Sequence, residues 1–68
     1  MSDKVYKLVE IVGVSQESFS KAVDAGVAKA GDSLRHIDWF EVTEMRGRVV
    51  DGKVAEYQVK LKVGFRLE

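Results

Sequence analysis

A single tryptophan, Trp39, begins one amphipathic strand, and a second amphipathic strand covers residues 57–67. Folding the two runs back on each other places Trp39 on a polar sheet face opposite Gly64. Gln58 and Arg66 are expected near the indole on that face. An indole offers a flat surface for stacking, and a glutamine amide offers both a donor and an acceptor. These residue types indicate binding of a flat polar ligand and not catalysis.

Arrangements of side chains that would carry catalysis are missing from the sequence. No nucleophile has a base beside it, no glycine-rich phosphate loop is present, and no pair of carboxylates stands out. His36 is the one histidine and there is no cysteine, so a transition-metal site could not be completed. We therefore predict a protein that is not an enzyme and has no metal site.

The length and charge of the chain restrict its class. A chain of 68 residues buries only about 60% of the surface that it exposes when unfolded. Small domains normally gain stability from disulfides, a metal or oligomerisation, and oligomerisation is the route this sequence leaves open. We predict one domain over residues 1–68 that associates with itself. Eleven basic and eleven acidic residues balance, which argues against nucleic-acid and membrane partners.

Targeting signals are not apparent in the sequence. Residues 1–5 lack the basic start and apolar core of a signal peptide. No apolar run approaches the roughly 20 residues needed to span a bilayer. We predict a cytoplasmic protein, and the lack of cysteine fits a reducing compartment.

The first two elements are a strand and a helix. Residues 4–14 are rich in β-branched side chains and apolar on both faces, as expected of a strand covered from two sides. The next segment, 16–30, is a predicted helix with Ser15 as its N-cap and Glu17 near the positive end of its dipole. Gly31 is expected to end the helix in the left-handed conformation.

One stripe of this helix is apolar and mostly small, which predicts close packing on the sheet. Gly26 in the middle of the helix costs up to about 1 kcal/mol relative to alanine, and close approach to another backbone would offset that cost. The stripe consists of Phe19, Ala22, Val23, Gly26, Val27 and Ala30.

From Leu34 onward the sequence predicts a long hairpin. Its turn is Asp51-Gly52, a dipeptide typical of a two-residue type I′ connection. Pairing Val50 with Lys53 sets the register of both strands. On the side expected to lie under the helix the pairs are Phe40 with Val63, Val42 with Leu61, and Glu44 with Val59. On the open side they are Trp39 with Gly64, Glu41 with Lys62, Thr43 with Lys60, and Met45 with Gln58.

Gly47 is the weak point of this register. A regular strand would place Arg46 under the helix as an unpaired buried charge, which is unfavourable. A bulge at Gly47 would turn Arg46 to the open side, and we expect such an irregularity.

These elements predict an α+β fold of the order βαββ, a three-stranded antiparallel sheet with one helix on one face. A hairpin arm of about 14 residues extends about 45 Å, whereas a 15-residue helix spans about 22 Å. Much of the sheet is then left uncovered. Copies of the same chain are expected to bury it.

The sequence resembles the bacterial dodecins, small flavin-binding proteins, over nearly its whole length. The resemblance implies a βαββ protomer assembled into a hollow homododecamer, with flavins held in pairs between tryptophans of symmetry-related subunits. It is carried by Val5-Tyr6-Lys7, Glu10-Ile11-Val12-Gly13, the run from Arg35 to Val42, Arg46-Gly47, Tyr57-Gln58-Val59, and the run from Val63 to Glu68.

The resemblance also implies roles for individual residues. Trp39 would stack on the isoalloxazine ring of FMN or riboflavin, and Gln58 would hydrogen-bond its pyrimidine edge. Arg46 and Arg66 would neighbour the flavin side chain or phosphate. Coenzyme A is a second ligand that the resemblance implies, with Lys7 and Lys29 as its contacts. The implied role is storage or buffering of flavin, with photoprotection through quenching by the indole.

Two further interpretations stay open. Trp39 could instead anchor a subunit interface in a purely structural or interaction module, and Arg46 and Arg66 could form intersubunit salt bridges. A small RNA-binding module that uses Trp39 and the lysines of the last strand is disfavoured by the neutral charge and by the neighbours Asp38 and Glu41.

Overall fold

Four elements make up the computed structural model, which describes residues 3–68. They are β1 (Tyr6–Ser15), α1 (Phe19–Gly31), β2 (Ile37–Val50) and β3 (Lys53–Arg66). The strands form one antiparallel sheet in the order β1-β3-β2, and α1 packs on one face of it. This arrangement confirms the predicted βαββ fold. The expectation that residues 1–5 lack signal-peptide features involves Met1 and Ser2, which lie outside the described residues.

The core lies between α1 and the central strand β3. Every second residue of β3 points at the helix, and the helix presents small side chains that allow close approach. Val9 and Ile11 of β1 pack beside this core and are half-buried. The fully or nearly buried apolar residues are Ala22, Ala30, Val59, Leu61 and Val63.

Close contact between α1 and β1 occurs where two glycines face each other. A Cβ atom built on Gly26 would lie 3.5 Å from the Cα atom of Gly13, which confirms the predicted approach of helix and strand backbones. The apolar stripe of the helix is also confirmed, since Ala22, Gly26 and Ala30 are its buried residues. Phe19 at its start is partly exposed and packs edge-on against Tyr57.

The helix begins later than the sequence predicted. Ser18 is the N-cap, and its hydroxyl accepts a hydrogen bond from the Lys21 N–H at 3.0 Å. Ser15 instead accepts from the Glu17 N–H at 2.9 Å, in a turn before the helix. Glu17 therefore lies outside the first helical turn, and its predicted place near the dipole was wrong. Each serine accepts from a backbone N–H two or three residues further along the chain. The start of the apolar stripe at Phe19 favours the later cap.

The end of the helix also differs from the prediction. Gly31 does not adopt a positive φ and is the last helical residue. The amides of Asp32 and Ser33 instead bond to the Lys29 and Ala30 carbonyls at 3.1 Å. The helix ends in a tightened last turn, so no left-handed residue is needed.

Loss of the cap hydroxyl should weaken the helix measurably. We expect Ser18→Ala to lower the free energy of unfolding by about 1 kcal/mol, because the Lys21 amide would lose its partner. Denaturant unfolding at a fixed protein concentration measures the change. Ser15→Ala is the matched control. An equal or larger loss in that control would contradict the assignment of Ser18 as the cap.

The hairpin turn is as predicted. Asp51 and Gly52 have φ values of 51° and 74°, the left-handed pair that a type I′ turn requires, and Val50 pairs with Lys53. Four predicted cross-strand pairs are confirmed near the other end of the hairpin. They are Trp39 with Gly64, Phe40 with Val63, Glu41 with Lys62, and Val42 with Leu61.

Two bulges shift the middle of the hairpin by one residue. Ala55 of β3 lies between the pairs formed by Val54 and Glu56, and Thr43 of β2 lies between those formed by Val42 and Glu44. Thr43 is held by its hydroxyl, which donates to the Lys60 carbonyl at 3.1 Å. The predicted pairs Thr43 with Lys60, Glu44 with Val59, and Met45 with Gln58 were therefore wrong. The observed pairs are Glu44 with Lys60, Met45 with Val59, and Arg46 with Gln58.

This shift places Arg46 on the open face, as expected. The location of the irregularity was wrong, because Gly47 itself pairs regularly with Tyr57. The extra residues at Ala55 and Thr43 produce the effect instead. An extra residue reverses which side chains of its strand point to each face of the sheet. Between the two bulges, each β2 side chain therefore points to the face opposite to the one predicted.

The helix covers β1 and β3 but leaves β2 exposed beyond its first residue, which packs beside the core. Phe40, Val42 and Met45 pair with the buried residues of β3, yet they are 49%, 42% and 55% exposed. The expectation that this side of β2 lies under the helix was therefore wrong. On the open face of β1, Leu8 and Val12 are also exposed. The molecule measures 56 × 20 × 13 Å, so a single short helix cannot span its sheet.

Within residues 3–68, the structure contains no helix that is both long and apolar enough to cross a membrane.

Candidate functional site

Trp39 lies on the open face of the sheet, directly over Gly64. A Cβ atom built at position 64 would fall within the indole, 2.7 Å from Cη2 and closer still to Cε2 and Cζ2. The glycine therefore provides a floor for the ring. The indole itself occupies the space that a side chain at position 64 would fill. Trp39 is 38% exposed, which leaves part of the ring accessible for stacking.

Two side chains outside the predicted set hold the indole. Its Nε1–H donates to the Glu41 carboxylate at 3.2 Å. The ring of Tyr6 lies with its centroid 4.9 Å from that of Trp39, at an interplanar angle of 56°. The Tyr6 hydroxyl donates to Oδ2 of Asp38 at 2.8 Å. The indole is thus in contact with the backbone at Gly64, with the Tyr6 ring and, through its N–H, with Glu41.

Asp38 and Arg66 act in opposite directions on Tyr6. The hydrogen bond to the Asp38 carboxylate raises the pKa of Tyr6, because it stabilises the neutral hydroxyl. The positive charge of Arg66 opposes this rise. Tyr6 pairs with Arg66 across the β1–β3 ladder, and Arg66 follows Gly64 by two residues on the same face. Arg66 is therefore near Trp39, as predicted.

Gln58 and Arg46 form a separate group on the same face. The Arg46 Nε–H donates to the Gln58 side-chain oxygen at 2.7 Å, and Nη1 of Arg46 donates to Glu44 at 2.8 Å. The Gln58 amide nitrogen donates to Glu56 at 2.8 Å. One N–H and one oxygen lone pair of the Gln58 amide remain for a ligand.

Trp39 and Gln58 do not meet within one protomer. Gln58 lies six residues before Gly64 on β3, a separation of about 20 Å at about 3.3 Å per residue. The expectation that Gln58 lies near Trp39 was therefore wrong for a single chain. The bulges change the faces of residues but not the length of the strand, so they cannot bring the two groups together.

The two lysines predicted as contacts of coenzyme A lie on the helix side of the molecule. Lys29 lines an apolar groove of about 510 Å³ between α1 and β1, together with Val9, Ile11 and Ala25. Lys7 pairs with Phe65 and does not line that groove. Both side chains are exposed. Their role stays a prediction.

His36 lies in the segment before β2 with a left-handed φ of 62°. Its Nε2 contacts the carboxylate of Glu68, and both side chains are partly exposed. Across the described part of the chain, no cluster of three or more histidine, cysteine or acidic side chains could hold a metal ion. That the protein has no metal site stays a prediction.

The contacts of Tyr6 with Trp39 and Asp38 could have been found from sequence only with the strand order. In the sequence, Tyr6 is one apolar residue of a strand that is apolar on both faces. Once β1 is placed beside β3, pairing Tyr6 with Arg66 puts its ring next to Gly64 and hence next to the indole. The contact of Glu41 with Trp39 could have been predicted from the sequence, because residues 39 and 41 lie on the same face of a strand.

The chain is similar to known proteins over nearly its full length. The family model described as Dodecin matches residues 5–68. Dodecin from Thermus thermophilus is 57% identical over 65 residues, which cover 96% of this chain and 94% of that protein. The structure of dodecin from Streptomyces coelicolor superposes with a TM-score of 0.95 at 50% identity, covering 100% of this chain and 97% of that one.

A more distant relative has a different name. "Calcium dodecin" from Mycobacterium tuberculosis is 33% identical over 63 residues, which cover 93% of this chain and 89% of that protein. Its crystal structure, described as containing a calcium-binding site, superposes with a TM-score of 0.82 at 35% identity and covers 94% of this chain and 91% of that one. Family model, identity and fold agree, and the chain belongs to the dodecin family.

Proposed function

We propose that this protein binds a flavin, FMN or riboflavin, by stacking its ring on Trp39 and stores it without catalysing a reaction on it. The observation that carries the proposal is the indole, which lies over Gly64 and is 38% exposed. Stacking of a base on an aromatic side chain contributes about 1 to 3 kcal/mol, and a flavin ring is larger than a base. A bound flavin supplies a planar chromophore whose emission an adjacent indole quenches.

The residues present fit this ligand only if two or more copies form the site. Trp39 and Arg66 lie at one end of the open face, whereas Gln58 and Arg46 lie about 20 Å away along β3. Contact of one ring system with both groups therefore requires a second chain. We propose that the rings are held in pairs between Trp39 residues of symmetry-related subunits, with Gln58 supplying hydrogen bonds to the pyrimidine edge.

The Gln58 amide is prepared for such a role by its neighbours. Arg46 holds the oxygen and Glu56 holds the nitrogen, so the plane of the amide is fixed. A fixed donor and acceptor loses less entropy on binding than a free side chain does. Arg46 and Arg66 are proposed as the charges that face the flavin side chain or phosphate.

Uncovered apolar surface supports self-association. The open face of β1 exposes Leu8, Val12 and Val14, and the helix side of β2 exposes Phe40, Val42 and Met45. Soluble monomers rarely leave two such surfaces uncovered. We propose a homo-oligomer, and the number twelve comes from the family. Three further expectations remain predictions. They are a single domain over residues 1–68, a cytoplasmic location, and coenzyme A binding through Lys7 and Lys29.

Titration of ligand-free protein into riboflavin, and separately into FMN, tests the proposal. We expect flavin emission to fall to a saturating low value for the native protein. Trp39→Ala should weaken binding by about a hundredfold, near the upper end of the stacking contribution, and leave emission unquenched, because the stacking surface is removed. Trp39→Phe is the matched control, which keeps a smaller ring and should retain weak binding. The oligomer must persist in both variants, as measured by light scattering.

The same experiment separates the main alternative, in which Trp39 anchors a subunit interface. The bare side chains of Phe40 and Val42, which follow Trp39 along β2, favour that alternative. If Trp39→Ala dissociates the oligomer, and native protein leaves flavin emission unchanged, the interface role replaces flavin binding.

A further inference from the structure

Tyr6 reaches Trp39 from the opposite edge of the sheet. The strand order β1-β3-β2 puts Tyr6 and Trp39 on the two edge strands, where Trp39 pairs with Gly64 of the central strand and Tyr6 pairs with Arg66, two residues further along it. Because position 64 carries no side chain, the indole lies over the central strand, where the Tyr6 ring approaches it to a centroid distance of 4.9 Å. A larger residue at position 64 would separate them. The glycine therefore makes the aromatic pair possible as well as the floor under the indole.

The Tyr6 hydroxyl forms a hydrogen bond with the residue before Trp39 in β2. In β2, Ile37 pairs with Phe65 and Trp39 pairs with Gly64, so Asp38 is an extra residue without a partner on β3. A bulge of this kind re-aims the side chain next to it. The hydrogen bond of 2.8 Å from Tyr6 to Asp38 holds this bulge from across the sheet.

Tyr6 keeps its proton over the whole physiological range. Its contact with Asp38 raises a pKa that is ordinarily about 10, so the hydroxyl remains a donor at neutral pH. Asp38 and Arg66 are the charged groups that act on it, and they oppose each other. The hydroxyl is therefore available to donate to Asp38 at neutral pH.

We infer that Tyr6 is a positioning residue of the flavin site, whose ring sets the tilt of the Trp39 indole and whose hydroxyl fixes the bulge at Asp38. This inference rests on the proposed function and deepens it. The Glu41 carboxylate accepts from the indole N–H, Gly64 lets the ring lie close to the central strand, and the Tyr6 ring packs against the indole. The ring remains 38% exposed, which leaves surface on which a ligand can stack.

A measurement without flavin tests the positioning directly. Trp39 is the sole tryptophan, so time-resolved anisotropy of its emission reports motion of this one ring in the assembled protein. We expect no fast local component for the native protein, a small one for Tyr6→Phe, which keeps the ring, and a large one for Tyr6→Leu. Tyr57→Phe is the matched control, since that ring packs on Phe19 at the far end of β3 and should leave the decay unchanged.

Flavin titration of the same proteins provides the second readout. We expect the Kd to rise about tenfold for Tyr6→Leu and about threefold for Tyr6→Phe, with residual emission at saturation higher in the leucine variant because the stacked rings are misaligned. If Tyr6→Leu does not fold, Tyr6→Phe decides the question: a shift in both anisotropy and Kd is expected, and native values of both would overturn the inference.

The two readouts keep this inference separate from the proposed function. Native anisotropy and native quenching in the Tyr6 variants would overturn the positioning role while leaving flavin binding intact. A fast component in Tyr6→Leu, together with no flavin quenching by the native protein, would overturn flavin binding while supporting Tyr6 as the residue that fixes the indole.

Discussion

Replacing Gly64 with alanine should weaken flavin binding and quenching strongly, though less than removing Trp39 does. The new Cβ would lie within the present position of the indole, 2.7 Å from Cη2 and nearer still to two other ring atoms. The ring must then rotate away from β3, which also separates it from Tyr6 and Glu41. We expect at least a tenfold rise in the Kd for flavin, in proportion to the stacking that is lost.

Fluorescence titration of Gly64→Ala measures this effect, and Gly31→Ala is its matched control. A Cβ atom at Gly31 would meet nothing within 4 Å, and Gly31 has no positive φ, so alanine is accommodated there without strain. Unchanged flavin quenching in Gly64→Ala would mean that the indole does not rest on β3 in the assembled protein. That result would remove the main support for the stacking proposal.

A second glycine, Gly13, should prove essential for folding itself. Its Cβ would collide with the backbone oxygen of Ala22 and lie 3.0 Å from the Ala22 carbonyl carbon and 3.2 Å from the Gly26 nitrogen. These are backbone atoms of α1, so no side-chain rotation relieves the collision. The whole helix would have to move off the sheet and open the core at Leu61.

We expect Gly13→Ala to lower the free energy of unfolding by about 3 kcal/mol or more, the upper range for an overpacked core. For a chain of this size, that loss corresponds to a fall in melting temperature of at least about 12 °C. Thermal unfolding at a fixed protein concentration checks the value. Gly31→Ala again serves as control, and it should be neutral or stabilising because alanine is the better helix former. A native melting temperature for Gly13→Ala would contradict the close packing of α1 on β1.

The bulges show where reasoning from sequence fails in this protein. Alternation predicted four pairs correctly from Trp39 to Val42, and then failed at Thr43. An extra residue in one strand costs little locally when a hydroxyl can bond the partner strand, as Thr43 does with Lys60. A second bulge at Ala55 restores the register near the turn. Neither bulge contains a glycine or proline that would indicate it in the sequence. Gly47, where the irregularity was predicted, lies in the shifted segment between the two bulges.

The cap of the helix is a smaller example of the same limit. Ser15 and Ser18 both precede the apolar stripe and both accept a backbone N–H. Local chemistry does not rank them. Packing of Ala22 against Gly13 fixes where the helix meets the sheet, and this contact selects Ser18 as the cap.

The sequence by itself determined the βαββ order, the type I′ turn at Asp51-Gly52, the small apolar stripe of α1, and the pairing of Trp39 with Gly64. These features depend on local backbone preferences and on the periods of helix and strand, which neighbouring residues specify. The tertiary structure alone decided the placement of β3 between the edge strands, the exposure of β2, the meeting of Tyr6 with Trp39, and the distance of Gln58 from both. Those features depend on contacts between residues far apart in the chain, and no local pattern records which strand becomes central.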